Sequence, residues 1–282
     1  MLAVAKPSRL PASWLMILPL LVALGLLYVA PLLDVLWISV TDPTPGLGNY
    51  QRLIETPSMQ RVLWTTLRLS AITTLVALPL AYVVAWTILH SSPRHRLWIT
   101  GFVLVPFWVS VLVRAFAWLT LLRTEGLINR ALLDAGLIAE PLALVRNDLG
   151  VLIGMVHYLI PYAVLPLLAN MRGIDPRLEA ASRSLGAGPF TGFLRVYLPL
   201  SKPGIFAAGL LVFVLSLGFL VTPAILGGGR VVMISEYVRI QIFQTVRWGV
   251  GTMMASCLLL TVLTLLVVMS RVVDVRQMFG AK

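Results

Sequence analysis

Apolar positions along this chain gather into long unbroken runs instead of recurring at the two- or three-residue intervals of half-buried elements. Four runs carry no charge: residues 69–89, 149–171, 204–229 and 248–270. Two more are interrupted once each, residues 14–40 by Asp34 and residues 97–122 by Arg114. A helix needs about 20 residues to cross a hydrocarbon core, and each run reaches that length. Membrane-spanning barrel strands would instead show alternating segments of about 10 residues, and none is evident. The pattern predicts an all-α membrane protein with six transmembrane helices, near residues 14–40, 63–89, 97–122, 149–171, 204–226 and 248–270, in a single domain over residues 1–282. The first run follows Lys6 and Arg9 but is too long for the apolar core of a cleaved signal, so it reads as a retained helix.

Composition agrees: 59% of the 282 residues are hydrophobic and 12% are charged. Charge then orients the chain. With both termini inside, the inner segments hold twelve Lys and Arg residues and the outer segments eight. The positive-inside rule places both termini, and the segment of residues 172–203, in the cytoplasm. The net charge of +11 is spread over separate segments, which suits an anionic lipid surface and gives no nucleic-acid footprint. Cys257 is the sole cysteine, and His90, His95 and His157 stand far apart, so neither a disulfide nor a metal site is expected. No phosphate-cradling loop, Ser/His/Asp set or paired carboxylates appear. Enzymatic activity of the chain itself is therefore not expected, and no cofactor is expected in it.

The loops differ in character. Residues 41–60, with Pro43, Pro45, Gly46, Gly48 and Pro57, read as a turn-rich connector. Leu127, Ile128, Leu132 and Leu133 predict a short surface helix. The segment after Arg230 reads either as an interfacial helix or as a solvated loop with anchoring aromatics.

The segment between the fourth and fifth runs is unlike the rest. Asp175 and Pro176 form a helix-start signal. Leu178, Ala181 and Leu185 share one helical face, and Gly186 ends it. Phe190, Phe193, Leu194 and Tyr197 then form a second face, with Pro199 as the expected stop. Two short amphipathic helices at a glycine corner must bury their apolar faces, either in the headgroup layer and the chain's own bundle or in a partner.

The run LEAASRSLGAG followed by RVYLPL resembles the EAA loop of binding-protein-dependent ABC importer permeases. Counted back from Gly186, the family glutamate falls on Ala180 and the two alanines on Ala181 and Ser182, with Glu179 one residue earlier. The stretches VPFWVSVLVRAFAW, EGLINRALLDAGLI and YLIPYAVLPLLANM are similar to the spermidine/putrescine branch. The resemblance implies a bacterial inner-membrane permease whose partners are a cytoplasmic ATPase dimer that binds the ATP, a second permease, a periplasmic binding protein and membrane lipids. It implies ATPase coupling through Glu179, Ala180, Ala181, Leu185, Gly186, Phe190, Leu194, Leu198 and Pro199.

Within the runs, Arg114 is the costly group, at about 2.5–3.5 kcal/mol near a bilayer centre. It either lines a path or snorkels to the outer headgroups. Trp108, Trp118, His157 and Tyr158 offer surfaces for an organic cation, and each alone also suits packing. Pro161 and Pro166 are expected to bend or open the fourth helix, which is expected to line the path. A polyamine is the expected cargo, with an opine or amino-acid derivative, phosphonate, iron or sulfate as alternatives. A self-sufficient secondary carrier is the competing class; it would show similar halves and buried coupling acids, and the runs show neither.

Overall fold

A computed structural model describes residues 12–272, and the terminal residues Lys6, Arg9, Arg276 and Lys282 lie outside that range. No strand occurs among the described residues. The chain starts as α1 (Ala12–Leu24), passes through a π-helical turn and continues as α2 (Ala30–Thr41). Then come α3 (Gly48–Glu55), α4 (Pro57–His90), α5 (Pro93–Trp108), α6 (Val111–Leu122), α7 (Leu127–Asp134) and α8 (Asp148–Met171). The second half holds α9 (Pro176–Ser184), α10 (Pro189–Gly192), α11 (Leu198–Leu217), α12 (Val221–Leu226), α13 (Ile234–Phe243) and α14 (Trp248–Val272).

Five helices are long and apolar enough to cross a membrane, and a sixth crossing exists if a bent pair counts as one. That pair corrects the expectation for residues 97–122. α5 and the helical stretch after it meet at a 102° bend. Pro106 removes an N–H from the last turn of α5, and Val109 takes an extended conformation. Ser110 then starts α6 afresh, its side chain accepting from the Leu112 N–H.

The fifth crossing is also corrected. The helix that carries it runs from Pro189 to Leu217, starting well before residue 204 and ending before residue 226. Pro199 does not stop the second short helix. A π-helical turn at Phe193–Tyr197 widens the helix just before it, with the Leu198 N–H reaching the Phe193 carbonyl. The wider turn absorbs the missing proline N–H, so the elbow runs into the membrane helix as one rod. The connector of residues 41–60 is corrected too, since α3 forms there. Buried Asn49 holds it, donating from Nδ2 to the carbonyls of Ser39 at 3.1 Å and Asp42 at 2.7 Å.

The centre of the bundle is α4 against α8 and α11. Ala77, Ala81 and Ala85 recur every fourth residue on α4 and are fully buried. Their small side chains let α4 approach Leu159, Ala163 and Leu167 of α8 and Ala208 and Val212 of α11 closely. Gly154 does the same for α8 against α12, where an added Cβ would sit 2.5 Å from Leu226 Cδ1 and Thr222 Cγ2. At the start of α14, Asp42 Oδ2 accepts the Gly249 N–H at 2.6 Å and so caps that helix from a distant segment. A carboxylate there also complements the positive end of the helix dipole. Asp42→Ala is expected to cost about 1 kcal/mol, read as a lowered Tm of the detergent-solubilised protein, with Asp42→Asn losing less because it keeps an acceptor.

Candidate functional site

Two assemblies of side chains stand out, one inside the bundle and one at the elbow. The inner one forms where α6 leans on α8. Arg114 places its guanidinium carbon 4.2 Å from the centre of the Tyr158 ring. Its Nε is buried without a partner. Trp118, one turn further along α6, donates from Nε1 to Nδ1 of His157 at 3.1 Å. Tyr158 stacks on Tyr162 with ring centres 5.5 Å apart, and Phe219 meets Tyr158 edge-on at 4.9 Å. Phe107, from the last turn of α5, packs on Tyr162 at 4.8 Å. The bend after Trp108 brings α5 and α6 together onto one face of α8.

Arg114, Trp118, His157 and Tyr158 are thus gathered as one cluster. Trp108 is not part of it; it is 90% exposed at the corner of the bend. Pro161 is buried in the helix packing, so its ring lines no open surface. α8 stays a single helix through Pro161 and Pro166. Neither proline can donate, however, so the carbonyls of His157 and Tyr162 lose their helical partners. Both belong to cluster residues, which adds oxygen acceptors to the ring faces. Phe107, Tyr162 and Phe219 join the cluster without having been singled out by the sequence pattern, because nothing in apolar runs marks which aromatic faces meet.

The elbow follows its sequence signals closely. Asp175 Oδ1 accepts the Arg177 N–H at 2.8 Å, capping α9. Gly186 closes it with φ +82°, while the Ala187 N–H reaches back to the Ser182 carbonyl at 3.0 Å. Nothing lies within 4 Å of a Cβ added at Gly186, so conformation and not space demands glycine. Ser182 is buried where the two short helices cross, 3.0 Å from a Cβ added at Gly192. Glu179 pairs with Arg183 at 2.8 Å along the same helix.

The apolar faces are only partly folded onto the bundle: Phe193 and Tyr197 pack against it, and the rest is bare. Leu185 is 89% and Phe190 73% exposed on either side of the glycine corner. Ala180, Ala181, Leu194 and Pro199 are exposed as well, and Leu198 is half-buried. The far side of the elbow is anchored. Tyr82 of α4 bonds Ser201 Oγ through its hydroxyl at 3.0 Å and meets Phe193 edge-on at 6.0 Å. His90, stacked on Trp86, meets Tyr197 at 6.0 Å. A cavity of about 320 Å³ lies behind this anchor, bordered by His90, Arg172, Asp175 and Tyr197. The elbow is therefore continuous with α11 and braced on α4, with a bare apolar tip.

Residues 77–277 match the family of the binding-protein-dependent transport system inner membrane component. The chain belongs to that family. It is 32% identical over 222 residues to the spermidine/putrescine transport system permease protein PotB of Haemophilus influenzae, covering 79% of this chain and 77% of that one. The inner membrane ABC transporter permease protein YdcU of Escherichia coli is 30% identical over 238 residues, covering 76% and 75% of the two chains. In fold, the permease is similar to a chain of a bacterial ABC transporter that imports the polysaccharide alginate, with TM-score 0.76, 18% identity and coverage of 93% and 94%. A second structure of the alginate system includes a periplasmic protein carrying an alginate pentasaccharide, and there the TM-score is 0.77 at 18% identity. The protein is thus a multi-pass permease subunit of an ABC importer in a bacterial inner membrane, working with a binding protein.

One feature of this permease was not legible in the sequence. Glu236 lies outside the apolar runs yet is only 5% exposed on α13. Burial pushes its carboxyl up from the ordinary value of 4.5, against a smaller opposing pull from Arg239. A helical wheel puts Glu236 opposite Ile234, on the face that periodicity would assign to water.

Two outcomes follow. Tyr158→Leu, which removes the ring under Arg114, is expected to lower uptake about tenfold, whereas Tyr158→Phe keeps the face and stays near wild type in the same assay. The raised native carboxyl of Glu236 means that the folded state binds its proton more tightly than the unfolded state. Its ionisation penalty is full above the raised value and is relieved as pH falls toward 4.5. The Tm advantage of Glu236→Gln over wild type should therefore be widest at neutral pH and shrink on acidification.

Proposed function

We propose that this permease carries a polyamine, with a second permease completing the path and an ATPase dimer gripping the elbow. The bare apolar tip around Gly186, rigidly joined to α4 and α11, is the observation that carries the coupling half of this reading. The chain offers no phosphate-cradling sequence, so free energy must enter through a contact. Residues Ala180, Ala181, Leu185, Phe190 and Leu194 present that contact as a helix-in-groove surface. Closure of the ATPase pushes the elbow, and the unbroken rod through Pro199 passes the displacement to α11. Both termini and the elbow then face the cytoplasm, and the periplasmic binding protein meets the opposite side.

For the cargo, support comes from the spermidine/putrescine permease relatives and from the aromatic cluster. Ring faces and the unpaired carbonyls of His157 and Tyr162 attract ammonium groups. Arg114 already occupies the Tyr158 face as a resident cation, so an arriving ammonium competes for that face. A second reading rests on the same residue. Arg114 has no carboxylate partner among the described residues, and a carboxylate-bearing solute such as an amino-acid derivative would supply one.

Gly186→Leu tests the coupling. Forcing a branched residue to positive φ costs about 1–2 kcal/mol locally, and the corner must shift. Uptake and co-purification of the ATPase are expected to be lost while membrane insertion is unchanged. Full transport by that variant would remove the elbow from the mechanism. Uptake of labelled spermidine or putrescine, against a labelled amino-acid derivative, separates the two cargo readings.

A further inference from the structure

α8 ends at Met171 beside the elbow and starts at Asp148, so the loop just ahead of it lies at the opposite end of the bundle. A cavity of about 770 Å³ opens there between the end of α6, that loop and the turn after α12. Arg123, Arg146 and Arg230 line it, one from each of those segments, and Glu125 is the one carboxylate on its wall. None of the three arginines is ion-paired among the described residues, not even with Glu125.

The convergence is built into the backbone. Arg146 sits at φ +59°, a left-handed conformation that a non-glycine residue seldom adopts. Its N–H donates to the Leu226 carbonyl at 2.7 Å, which fastens the loop to the end of α12. Its side chain then runs past Gly228, where an added Cβ would stand 2.9 Å from Arg146 Cγ. Gly228 belongs to the same turn as Arg230, whose N–H donates to the Gly227 carbonyl at 3.0 Å. Arg123 comes from the C-terminal cap of α6, where its carbonyl accepts from Asn129 Nδ2 at 3.2 Å. Like charges repel, so three guanidinium groups gathered on one wall call for an anion. The planar fork of a guanidinium matches a phosphate in particular.

The same helix distinguishes among phosphates. Leu112, Phe116 and Arg123 share one face of α6, turned away from Arg114 and Trp118, which meet α8. Leu112, Val113 and Phe116 are exposed, and Phe116 also lines the cavity. From Leu112 to Arg123 the helix rises about 16 Å, close to half of the ~30 Å hydrocarbon core. An acyl chain laid along that stripe brings its phosphate to the level of the arginines, whereas a free anion has no use for the stripe. A headgroup carrying its own ammonium would set that charge against the guanidinium groups. A net negative headgroup of the phosphatidylglycerol kind fits them.

We infer that this cavity seats the headgroup of an anionic phospholipid, with an acyl chain along Leu112 and Phe116. The lipid ties the end of α6 to the loop ahead of α8 and to the turn after α12. The seat is the same whichever solute is carried.

The test uses the whole importer, this chain with its companion permease, ATPase and binding protein, in nanodiscs holding equal amounts of phosphatidylglycerol and phosphatidylethanolamine. Phe116→p-benzoylphenylalanine places a photo-crosslinker on the stripe, and mass spectrometry identifies what it captures. Phosphatidylglycerol adducts are expected to outnumber phosphatidylethanolamine adducts about tenfold, the scale of one or two charges at a membrane surface. Adding Arg123→Gln, Arg146→Gln and Arg230→Gln together should bring the ratio to about one, and Arg230→Gln alone should lower it severalfold. Arg61→Gln, outside the cavity, should leave it unchanged. Equal capture of the two lipids without the glutamine changes overturns the seat, as does a ratio indifferent to them. Capture of the companion permease in place of lipid also overturns it, since the stripe is then a subunit interface.

A second measurement leaves Phe116 intact. Phosphatidylglycerol added to the delipidated importer is expected to raise its Tm, and soluble glycerophosphoglycerol at the same concentration is expected to leave it unchanged. Equal protection by the soluble compound marks a free-anion site and overturns the lipid seat.

Discussion

Lipid offers a peptide group no hydrogen-bond partner, and the shape of this permease follows from that. Every crossing is helical because only a helix satisfies its own backbone in hydrocarbon. Each departure from regular helix is then costly in lipid, and the departures cluster at working parts of the molecule. The bend at Val109–Ser110 swings α6 onto α8 and brings Arg114 over Tyr158. Pro161 and Pro166 strip donors from His157 and Tyr162 without breaking α8. The π turn at Phe193–Tyr197 lets a helix continue through Pro199.

The last of these has mechanical consequences. Had Pro199 ended the elbow helix, a hinge would separate the tip from α11. Instead the second short helix, the π turn and the membrane helix form one continuous helix, braced against α4 by Tyr82 and His90. The packing centre is equally stiff, since the alanine stripe of α4 leaves no slack against α8 and α11. On the proposed reading, a push on Phe190 passes directly into α11.

Much of this was legible in the residues. An uncharged run at 149–171 became Asp148–Met171 almost residue for residue, because length and apolarity alone decide a straight crossing. Asp175 and Gly186 fell where their capping chemistry puts them, since caps are local. The bend within residues 97–122 was hidden because both arms are apolar, and only the direction of packing distinguishes one crossing from two arms. α3 was hidden by the prolines and glycines around it, and it stands because Asn49 is buried among carbonyls from α2 and the following turn. Glu236 was hidden because its burial comes from elements remote in sequence, against its own helical periodicity. Of the residues proposed for the path, Arg114, Trp118, His157 and Tyr158 met as a set, whereas Trp108 and Pro161 did not join it.

The elbow as a lever worked from outside is the proposition on which coupling, rigidity and cargo movement all depend. Its most direct measurement is solute flux into liposomes holding the permease pair, with and without the nucleotide-hydrolysing subunits. A lever without its engine is still, so uptake should require both ATP and those subunits and be absent from vesicles holding permeases alone. Solute equilibrating through the permeases by themselves, at a rate comparable to the complete importer, would contradict it.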